Sequence, residues 1–255
     1  MEYFYSSASM GFHGEGYLWH KPFQKLFGKF PKYPAVCKTI TLNAKKGTPY
    51  NVFRIPFKGT TWNKIGLHNP GFNWWMKVLS RTFPKAYIKR FASPLIPSLY
   101  GTHDEVQEMI DKLHQKDHFF NMVEINVSCP NVSLHGQRKL PKSPYPLSLK
   151  VRYDDDPFKY DLAGVKRVTL NSIPSGTIFK GGLSGKYAQK YNWPFIKDHI
   201  DTMAHMGISL AGCSITKEED IQTLADLGCT EIGLGSVMLI NPRLVLKTGG
   251  LPCKK

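Results

Sequence analysis

Short apolar or β-branched runs alternate with helical patterns along almost the whole chain. Eight runs have the length and composition of β-strands: Tyr3–Ala8, Ala35–Thr41, Leu95–Leu99, Met122–Val127, Leu147–Val151, Arg167–Leu170, Ile208–Ala211 and Glu231–Leu234. Between them, four segments have the spacing of amphipathic helices: Asn73–Thr82, His103–Gln115, Pro194–His205 and Lys217–Leu227. Strands that alternate with helices form parallel sheets through βαβ crossovers. Eight such strands in 255 residues therefore predict an α/β fold, a (β/α)8 TIM-type barrel that forms a single domain over residues 1–255.

The helix after the third predicted strand has the clearest start signal. Thr102 is a good capping residue, and Glu105 follows three positions later, as in a capping box. Val106, Ile110 and Leu113 are spaced to form one buried face. We therefore expect the helix to begin immediately after Thr102.

Two connections between predicted strands lack a helical pattern. Residues 132–146 contain three prolines and few periodic apolar residues, and residues 152–166 are interrupted by Pro157. A parallel crossover usually contains a helix. The sequence therefore predicts a reduced barrel, with one or two crossover helices shortened or missing.

Polar side chains collect at the ends of the predicted strands, where parallel barrels carry their functional residues. The residues in the C-terminal half of a predicted strand or just after its end are Lys38, Thr39, Asn126, Cys129, Asn131, Lys150, Asn171 and Ser172. Residues 63–71 form a further polar, glycine-containing loop. Amide groups both donate and accept hydrogen bonds, and lysines add positive charge, so the set suits a planar anionic ligand. Cys129 is placed to give or take a proton.

Several of these segments resemble the dihydroorotate dehydrogenase family. The resemblance extends from about Ser7 to Pro242, and the matching segments are Lys38–Leu42, Asn63–Gly71, Val123–Asn131, Leu170–Ser172 and Gly181–Gly185. It implies an FMN-binding barrel, an oxidoreductase that converts dihydroorotate to orotate in pyrimidine biosynthesis. A cysteine before Pro130 is similar to the soluble members of the family. The first and last segments are most similar to the NAD-linked class, which works with an electron-transfer subunit. The fumarate-reducing class is the alternative within the family.

The resemblance also implies roles for individual residues. Cys129 would take a proton from substrate C5 while the C6 hydride goes to the flavin. Lys150 would stabilise negative charge on the reduced flavin, and Lys38 would contact it. The implied substrate-binding residues are Asn63, Gly66, Leu67, Asn126, Asn131, Asn171 and Ser172. The implied cofactor-binding residues are Ala8, Ser9, Lys38, Thr39, Lys150, Gly182, Gly212, Ser214, Gly235 and Ser236.

One turn departs from the family pattern. Where the family usually has Gly-x-Gly-Gly beside the flavin phosphate, this chain has Ala211-Gly-Cys-Ser214. Side chains thus stand where glycine allows positive φ and close backbone approach. With the thin crossovers, this departure keeps a second interpretation open. In it, the barrel is flavin-free or inactive and serves as a structural subunit of a larger assembly that could contain RNA.

The charge balance points to anionic partners. The chain has 34 Lys and Arg against 19 Asp and Glu, a formal net charge of +15. That surplus suggests anionic ligands, an acidic partner or RNA, although the sequence contains no nucleic-acid-binding motif. An electron-transfer subunit or a second copy of the chain is a further expected partner.

The remaining chemistry is limited. Five widely spaced cysteines without a C-x-x-C motif argue against a disulfide framework and favour a reducing compartment. His114 and His118 are four residues apart but lack an evident third ligand, so we expect no metal site. There is no 18-residue apolar run and no basic segment leading into an apolar one near the start. We therefore expect a cytoplasmic protein with no membrane partner.

Overall fold

The computed structural model describes most of the chain. The described residues are 1–7, 9–13, 16–48, 52–55, 59–82, 95–115, 120–128, 139–174 and 181–250. Three predicted site residues, Ala8, Cys129 and Asn131, lie outside these ranges.

Thirteen strands are described, and the eight predicted ones are all among them. In chain order they are β1 (Glu2–Tyr5), β2 (Ala35–Val36), β3 (Val52–Ile55), β4 (Thr60–Asn63), β5 (Leu95–Ile96), β6 (Ser98–Leu99), β7 (Val123–Asn126), β8 (Leu147–Val151), β9 (Val165–Leu170), β10 (Ile173–Pro174), β11 (Gly182–Gly185), β12 (Ser209–Leu210) and β13 (Glu231–Leu234). Pro97 lies between β5 and β6, which together form the third predicted strand. A proline cannot donate to the ladder, which accounts for the break.

The barrel strands pair in parallel in two runs, β13-β1-β2-β5 and β12-β9-β8-β7-β6. Two isolated parallel bridges, Ile40 with Leu99 and Gly212 with Ile232, join one run to the other. At the second bridge, the Gly212 N–H donates to the Glu231 carbonyl at 2.8 Å. The eight predicted strands are thus connected in sequence order around a TIM-type arrangement.

A second sheet was not predicted. Four antiparallel strands pair in the order β10-β11-β4-β3, and β10 begins three residues after the end of β9. Asn63, which the sequence suggested was in a loop, is the last residue of β4. The strands of this sheet are only two to four residues long, and β4 and β11 consist mainly of polar residues and glycine, so the sequence carries little signal for them. The sheet lies at the carboxyl end of the barrel strands.

The helices include all four that the sequence predicts. In chain order they are α1 (His20–Phe27), α2 (Phe72–Thr82), α3 (His103–His114), α4 (Lys186–His205), α5 (Glu218–Asp226), α6 (Val237–Ile240) and α7 (Pro242–Thr248). The capping box is confirmed, because Glu105 N–H donates to the Thr102 hydroxyl at 3.2 Å and Thr102 N–H donates to the Glu105 carboxylate at 2.8 Å. The predicted start of α4 at Pro194 was wrong. The proline lies inside the helix, which begins eight residues earlier.

The thin crossover between β8 and β9 is confirmed. It contains a three-residue 3-10 turn, Pro157–Lys159, in place of an α-helix. Between β7 and β8, the described residues 139–146 contain no helix either. None of the helices in the described ranges is both long and apolar enough to cross a membrane.

Candidate functional site

A cavity of about 680 Å³ opens at the carboxyl end of the barrel strands, beneath the antiparallel sheet. Most of the predicted binding residues line it: Ser9, Lys38, Thr39, Asn63, Gly66, Leu67, Asn126, Lys150, Asn171, Ser172, Gly182, Ser214, Gly235 and Ser236. The fold therefore brings together side chains that are up to about 230 residues apart in the sequence, as a parallel barrel does.

Gly212 does not belong to this group. Its N–H donates to the Glu231 carbonyl at 2.8 Å, and its carbonyl accepts from Gly233 N–H at 2.9 Å. A Cβ at this position would face the Leu224 and Ile232 side chains. The prediction that Gly212 contacts a cofactor is therefore not supported, because its backbone polar groups are used in the barrel ladder.

Three lysines, Lys38, Lys64 and Lys150, line the cavity and give it a positive character. Lys150 is only 9% exposed, and its ammonium has no hydrogen-bond or ion-pair partner among the described residues. The Lys38 ammonium lies 5.0 Å from the centre of the Phe12 ring, and burial lowers the pKa of Lys38. Among the lining residues that the structure describes, none is Asp or Glu. A buried cation without a carboxylate partner favours an anionic ligand.

Asn126 is held at both ends of its amide. Its Nδ2 donates to the Thr39 hydroxyl at 3.0 Å. Its Oδ1 accepts from Ser128 twice, from the N–H at 3.1 Å and from the hydroxyl at 2.6 Å. The residue is the last of β7 and is buried, so its orientation is fixed by the protein before any ligand binds.

The antiparallel sheet approaches the barrel closely at Gly182. A Cβ at this position would lie 2.3 Å from the Ser172 hydroxyl and 3.4 Å from Asn63 Nδ2. Only glycine permits that approach. Asn63 Nδ2 also lies 3.4 Å from the Gly182 carbonyl, and Asn171 Nδ2 donates to the Ser128 carbonyl at 3.3 Å. These contacts place Asn63, Asn171 and Ser172 around one part of the cavity.

Sequence reasoning missed Asn192 and Cys213, which also line the cavity. Asn192 Nδ2 lies 3.1 Å from the Ser214 hydroxyl and 3.3 Å from Cys213 Sγ. Asn192 is 1% exposed, and its Oδ1 has no hydrogen-bond partner in the described part of the chain. The available signal was its position, since Asn192 interrupts the buried face that Ala188, Phe195 and Ile196 form on α4.

The turn at residues 211–214, where the family usually has glycines, keeps a backbone conformation typical of glycine. Ser214 has φ of 64°, in the left-handed region that non-glycine residues rarely occupy. Burial raises the pKa of Cys213 to about 11, although hydrogen bonds from Ser214 and Asn192 and the charge of Lys150 act in the opposite direction. Cys213 is therefore a neutral thiol at physiological pH.

The backbone N–H groups just before α5 are hydrogen-bonded to a carboxylate in the first turn of the same helix. Asp220 is buried, and its Oδ2 accepts from Thr216 N–H at 2.6 Å and from Lys217 N–H at 3.1 Å. These donors are satisfied within the protein, so they add little to anion binding in the cavity.

The fold and the site together define a TIM-type barrel with a lysine-containing cavity at the carboxyl ends of its strands. The family model for dihydroorotate dehydrogenase matches residues 7–148, more than half of the chain. The chain therefore belongs to the dihydroorotate dehydrogenase family. The match ends before Lys150, Asn171 and the turn at Cys213 and Ser214.

Relatives named as fumarate-type and as NAD(+)-type dihydroorotate dehydrogenases are similar to part of the chain. It is 35% identical over 102 residues to dihydroorotate dehydrogenase A (fumarate) of Lactobacillus delbrueckii subsp. bulgaricus, covering 40% of this chain and 32% of that protein. It is 31% identical over 132 residues to the catalytic subunit of dihydroorotate dehydrogenase B (NAD(+)) of Petrotoga mobilis, covering 51% and 39%. The matched segments thus span about a third of the length of these relatives.

Solved structures resemble almost the whole chain. DHODH from Eimeria tenella in complex with ferulenol superposes with a TM-score of 0.71 at 15% identity, covering 97% of this chain and 78% of that one. Its ligand-free form gives a TM-score of 0.72 at 16% identity, covering 96% and 82%. At this identity the likeness establishes the fold, which agrees with the predicted TIM-type barrel.

Proposed function

We propose that the protein is an FMN-dependent oxidoreductase that converts dihydroorotate to orotate in pyrimidine biosynthesis. The observation that carries the proposal is Lys150, a residue only 9% exposed, which lines a cavity whose described lining contains no carboxylate. Dihydroorotate, orotate and the FMN phosphate are all anions. A cation inside a cavity attracts such groups more strongly than one on the open surface does.

The residues present suit a flavin mononucleotide. The cavity volume of about 680 Å³ falls within the roughly 300–1,000 Å³ of cofactor and ligand sites. The buried Asn192 Oδ1 lacks a donor, which a ligand N–H or hydroxyl would supply. The described residues that would hold the cofactor are Ser9, Lys38, Thr39, Lys150, Gly182, Ser214, Gly235 and Ser236. When bound, FMN supplies an acceptor for the hydride that leaves the substrate.

The chain's own residues would bind and polarise the substrate. Asn126 donates a hydrogen bond from a fixed position, and Asn63 and Asn171 offer further amides for a pyrimidine ring and its carboxylate. Lys150 would stabilise the negative charge that a flavin ring gains when it accepts the hydride. Lys38, two residues after the end of β2, would add a second positive charge to the same cavity.

The general base remains the predicted Cys129, which lies outside the described residues and rests on the family resemblance. Cys213, the cysteine that lines the described cavity, is unsuited to that task. Its pKa is raised to about 11 by burial, and Asn192 and Ser214 donate to its sulfur. A base must be able to ionise near the working pH.

The electron acceptor and the partners are also part of the proposal. The NAD-linked class, with its electron-transfer subunit, is our preferred assignment from the sequence segments. A relative of that class and one of the fumarate class match comparably well. Nothing in the described residues or in these relatives supports the RNA or acidic partner that the net charge suggested.

Binding of FMN to the purified apoprotein tests the proposal. Quenching of flavin fluorescence should report one site per chain, and Lys150→Met should weaken it because the variant removes the buried charge. Lys77→Met, which removes a lysine on α2, is the matched control for net charge. A protein that quenches no flavin fluorescence would favour the flavin-free, structural alternative. For the base, Cys129→Ala should retain flavin and lose most turnover at neutral pH.

A further inference from the structure

A chain of side-chain hydrogen bonds connects a buried carboxylate to the cavity. Glu124 Oε1 accepts from the Ser98 hydroxyl at 2.7 Å, and the Ser98 and Thr39 hydroxyls are 3.0 Å apart. The Thr39 hydroxyl in turn accepts from Asn126 Nδ2 at 3.0 Å. On its other side, Glu124 Oε2 accepts from the Thr169 hydroxyl at 3.3 Å. Glu124 thus lies three hydrogen bonds away from an amide that faces the ligand site.

The carboxylate sets the direction of these bonds. An ionised carboxylate can only accept, so the Ser98 proton points to Glu124. The Ser98 oxygen is then an acceptor towards Thr39, and the Thr39 oxygen keeps a lone pair for Asn126. The Ser7 hydroxyl lies 3.3 Å from Thr39 and donates to the Cys37 carbonyl at 3.1 Å, so it does not reverse this order.

With the bonds in this order, one hydrogen-bonding group of the Asn126 side-chain amide is left unused. Its Oδ1 already accepts two hydrogen bonds from Ser128, and one Nδ2 proton is given to Thr39. The second Nδ2 proton is the remaining hydrogen-bonding group of the amide. Asn126 is therefore presented to the cavity as a donor.

We propose that Glu124 is a positioning residue, which acts through Ser98 and Thr39 to hold Asn126 as a hydrogen-bond donor in the ligand site. The ligand atom opposite Asn126 must then be an acceptor, such as a carbonyl or carboxylate oxygen, and an amino group is disfavoured. The identity of that ligand rests on the proposed function, whereas the orientation of the amide does not.

The burial of Glu124 supports a positional role. The residue is 1% exposed, and no lysine or arginine among the described residues forms an ion pair with it. Burying a carboxylate without a cation is unfavourable unless hydrogen bonds compensate. The hydroxyls of Ser98 and Thr169 provide that compensation, and an apolar residue would pack in the same place without the penalty.

Two buried serines on β6 and β8, the strands on either side of β7, give a matched experiment. Ser98 and Ser148 are both fully buried. Ser98 belongs to the series of hydrogen bonds from Glu124 to Asn126, whereas the Ser148 hydroxyl has no partner in the described structure. Ser98→Ala should weaken the binding of orotate roughly tenfold, the size expected for one hydrogen bond to a charged ligand. Ser148→Ala should leave orotate affinity unchanged. Equal effects of the two substitutions would overturn the proposal.

A double-mutant cycle shows whether the effect passes through Asn126. Ser98→Ala should cause no further loss of orotate affinity in an Asn126→Ala background, because the amide that it orients is already absent. Fully additive losses would contradict the proposal. Glu124→Gln keeps an oxygen that can accept from Ser98, so this variant should bind orotate with an affinity close to that of the parent protein. Glu124→Met should bind orotate as weakly as Ser98→Ala.

The orientation of Asn126 can be measured without any ligand. The side-chain amide protons of Asn126 should exchange slowly in the parent protein and faster in Ser98→Ala, as followed by NMR of ¹⁵N-labelled protein. Unchanged exchange would overturn the positioning role. Slow exchange in a protein that binds no orotate would instead show that the positioning is correct and that the proposed function is wrong.

Discussion

Arg167 and Glu231 form a bidentate ion pair that links β9 to β13, the strands on either side of β12. The Arg167 Nε donates to Glu231 Oε2 at 2.8 Å, and its Nη2 donates to Oε1. The guanidinium also lies over the Phe4 ring, 4.2 Å from its centre. Burial raises the pKa of Glu231, but the hydrogen bonds and charge of Arg167 outweigh it, and the pKa is lowered.

Removing one partner of this pair should be strongly destabilising. Arg167→Met leaves Glu231 buried and unpaired, so we expect the free energy of unfolding to fall by about 3–5 kcal/mol. Urea denaturation at pH 7 measures the loss. Arg152→Met removes an exposed pair with Asp154 and should cost only about 0–1 kcal/mol. Comparable losses in the two variants would show that the interior pair has no special importance.

Acid should weaken the same pair. The pKa of Glu231 is lowered from its ordinary value of 4.5, so its contribution is present above about pH 4.5 and is lost as pH falls through the folded-state value. The difference in stability between the parent protein and Glu231→Gln should therefore shrink below pH 4.5. A constant difference from pH 7 to pH 3 would be inconsistent with the lowered pKa.

His20 should make the free energy of unfolding depend on pH in a range above that of Glu231. Burial lowers its pKa from 6.5 to about 4, and its Nδ1 accepts from Tyr17 N–H at 3.2 Å. Between pH 6.5 and 4 the unfolded chain binds a proton that the folded protein does not, so stability decreases as pH falls through this window. His20→Asn keeps an acceptor near the Tyr17 N–H but does not titrate. Denaturation curves from pH 7.5 to 4.5 should show a shallower decline for this variant, and identical slopes would refute the assignment.

The left-handed conformation of Ser214 predicts an ordering of two variants. Both Ser214→Gly and Ser214→Ala remove the hydroxyl that lies 3.1 Å from Asn192 Nδ2, but only glycine adopts φ of 64° without strain. The glycine variant should therefore be more stable than the alanine variant by about 1 kcal/mol, after allowance for the greater entropy of the unfolded glycine chain. Thermal unfolding of the two proteins measures the difference. The reverse order would mean that Ser214 does not hold this conformation in solution.

Lys38 should make anion binding sensitive to alkaline pH. Because burial lowers the pKa of Lys38, the residue loses its charge at a lower pH than an exposed lysine does. Orotate affinity should therefore begin to fall at a lower pH than the titration of an exposed lysine would give. Arginine stays charged from pH 7 to 10. The orotate affinity of the Lys38→Arg variant should therefore be the same at every pH in this range. Parallel profiles for the two proteins would exclude Lys38 as the titrating group.

The barrel could be predicted from the sequence because its strands are buried and apolar. Runs such as Leu147–Val151 and Glu231–Leu234 have few alternative structures, and the Thr102 capping box fixed the start of α3 to within one residue. The antiparallel sheet could not be predicted in this way. Its strands are held by backbone pairing and by the close approach at Gly182, neither of which produces a hydrophobic pattern.

The candidate site was predictable where its residues lie at or just beyond the carboxyl ends of barrel strands. Lys38, Asn126, Lys150 and Asn171 all follow this rule, and all line the cavity. Asn192 does not, since it reaches the cavity from the middle of a helix. Gly212 does not line the cavity, and its backbone groups pair with neighbouring strands. The predictions for Ala8, Cys129 and Asn131 stay predictions.

Anaerobic addition of dihydroorotate to the FMN-loaded protein is the most direct test of the proposed function. The measurement is the flavin absorbance in the visible region, recorded before and after addition of substrate. The account predicts that the yellow colour bleaches and that orotate forms in a one-to-one ratio with the flavin reduced. A flavin that stays oxidised in the presence of excess dihydroorotate would contradict it.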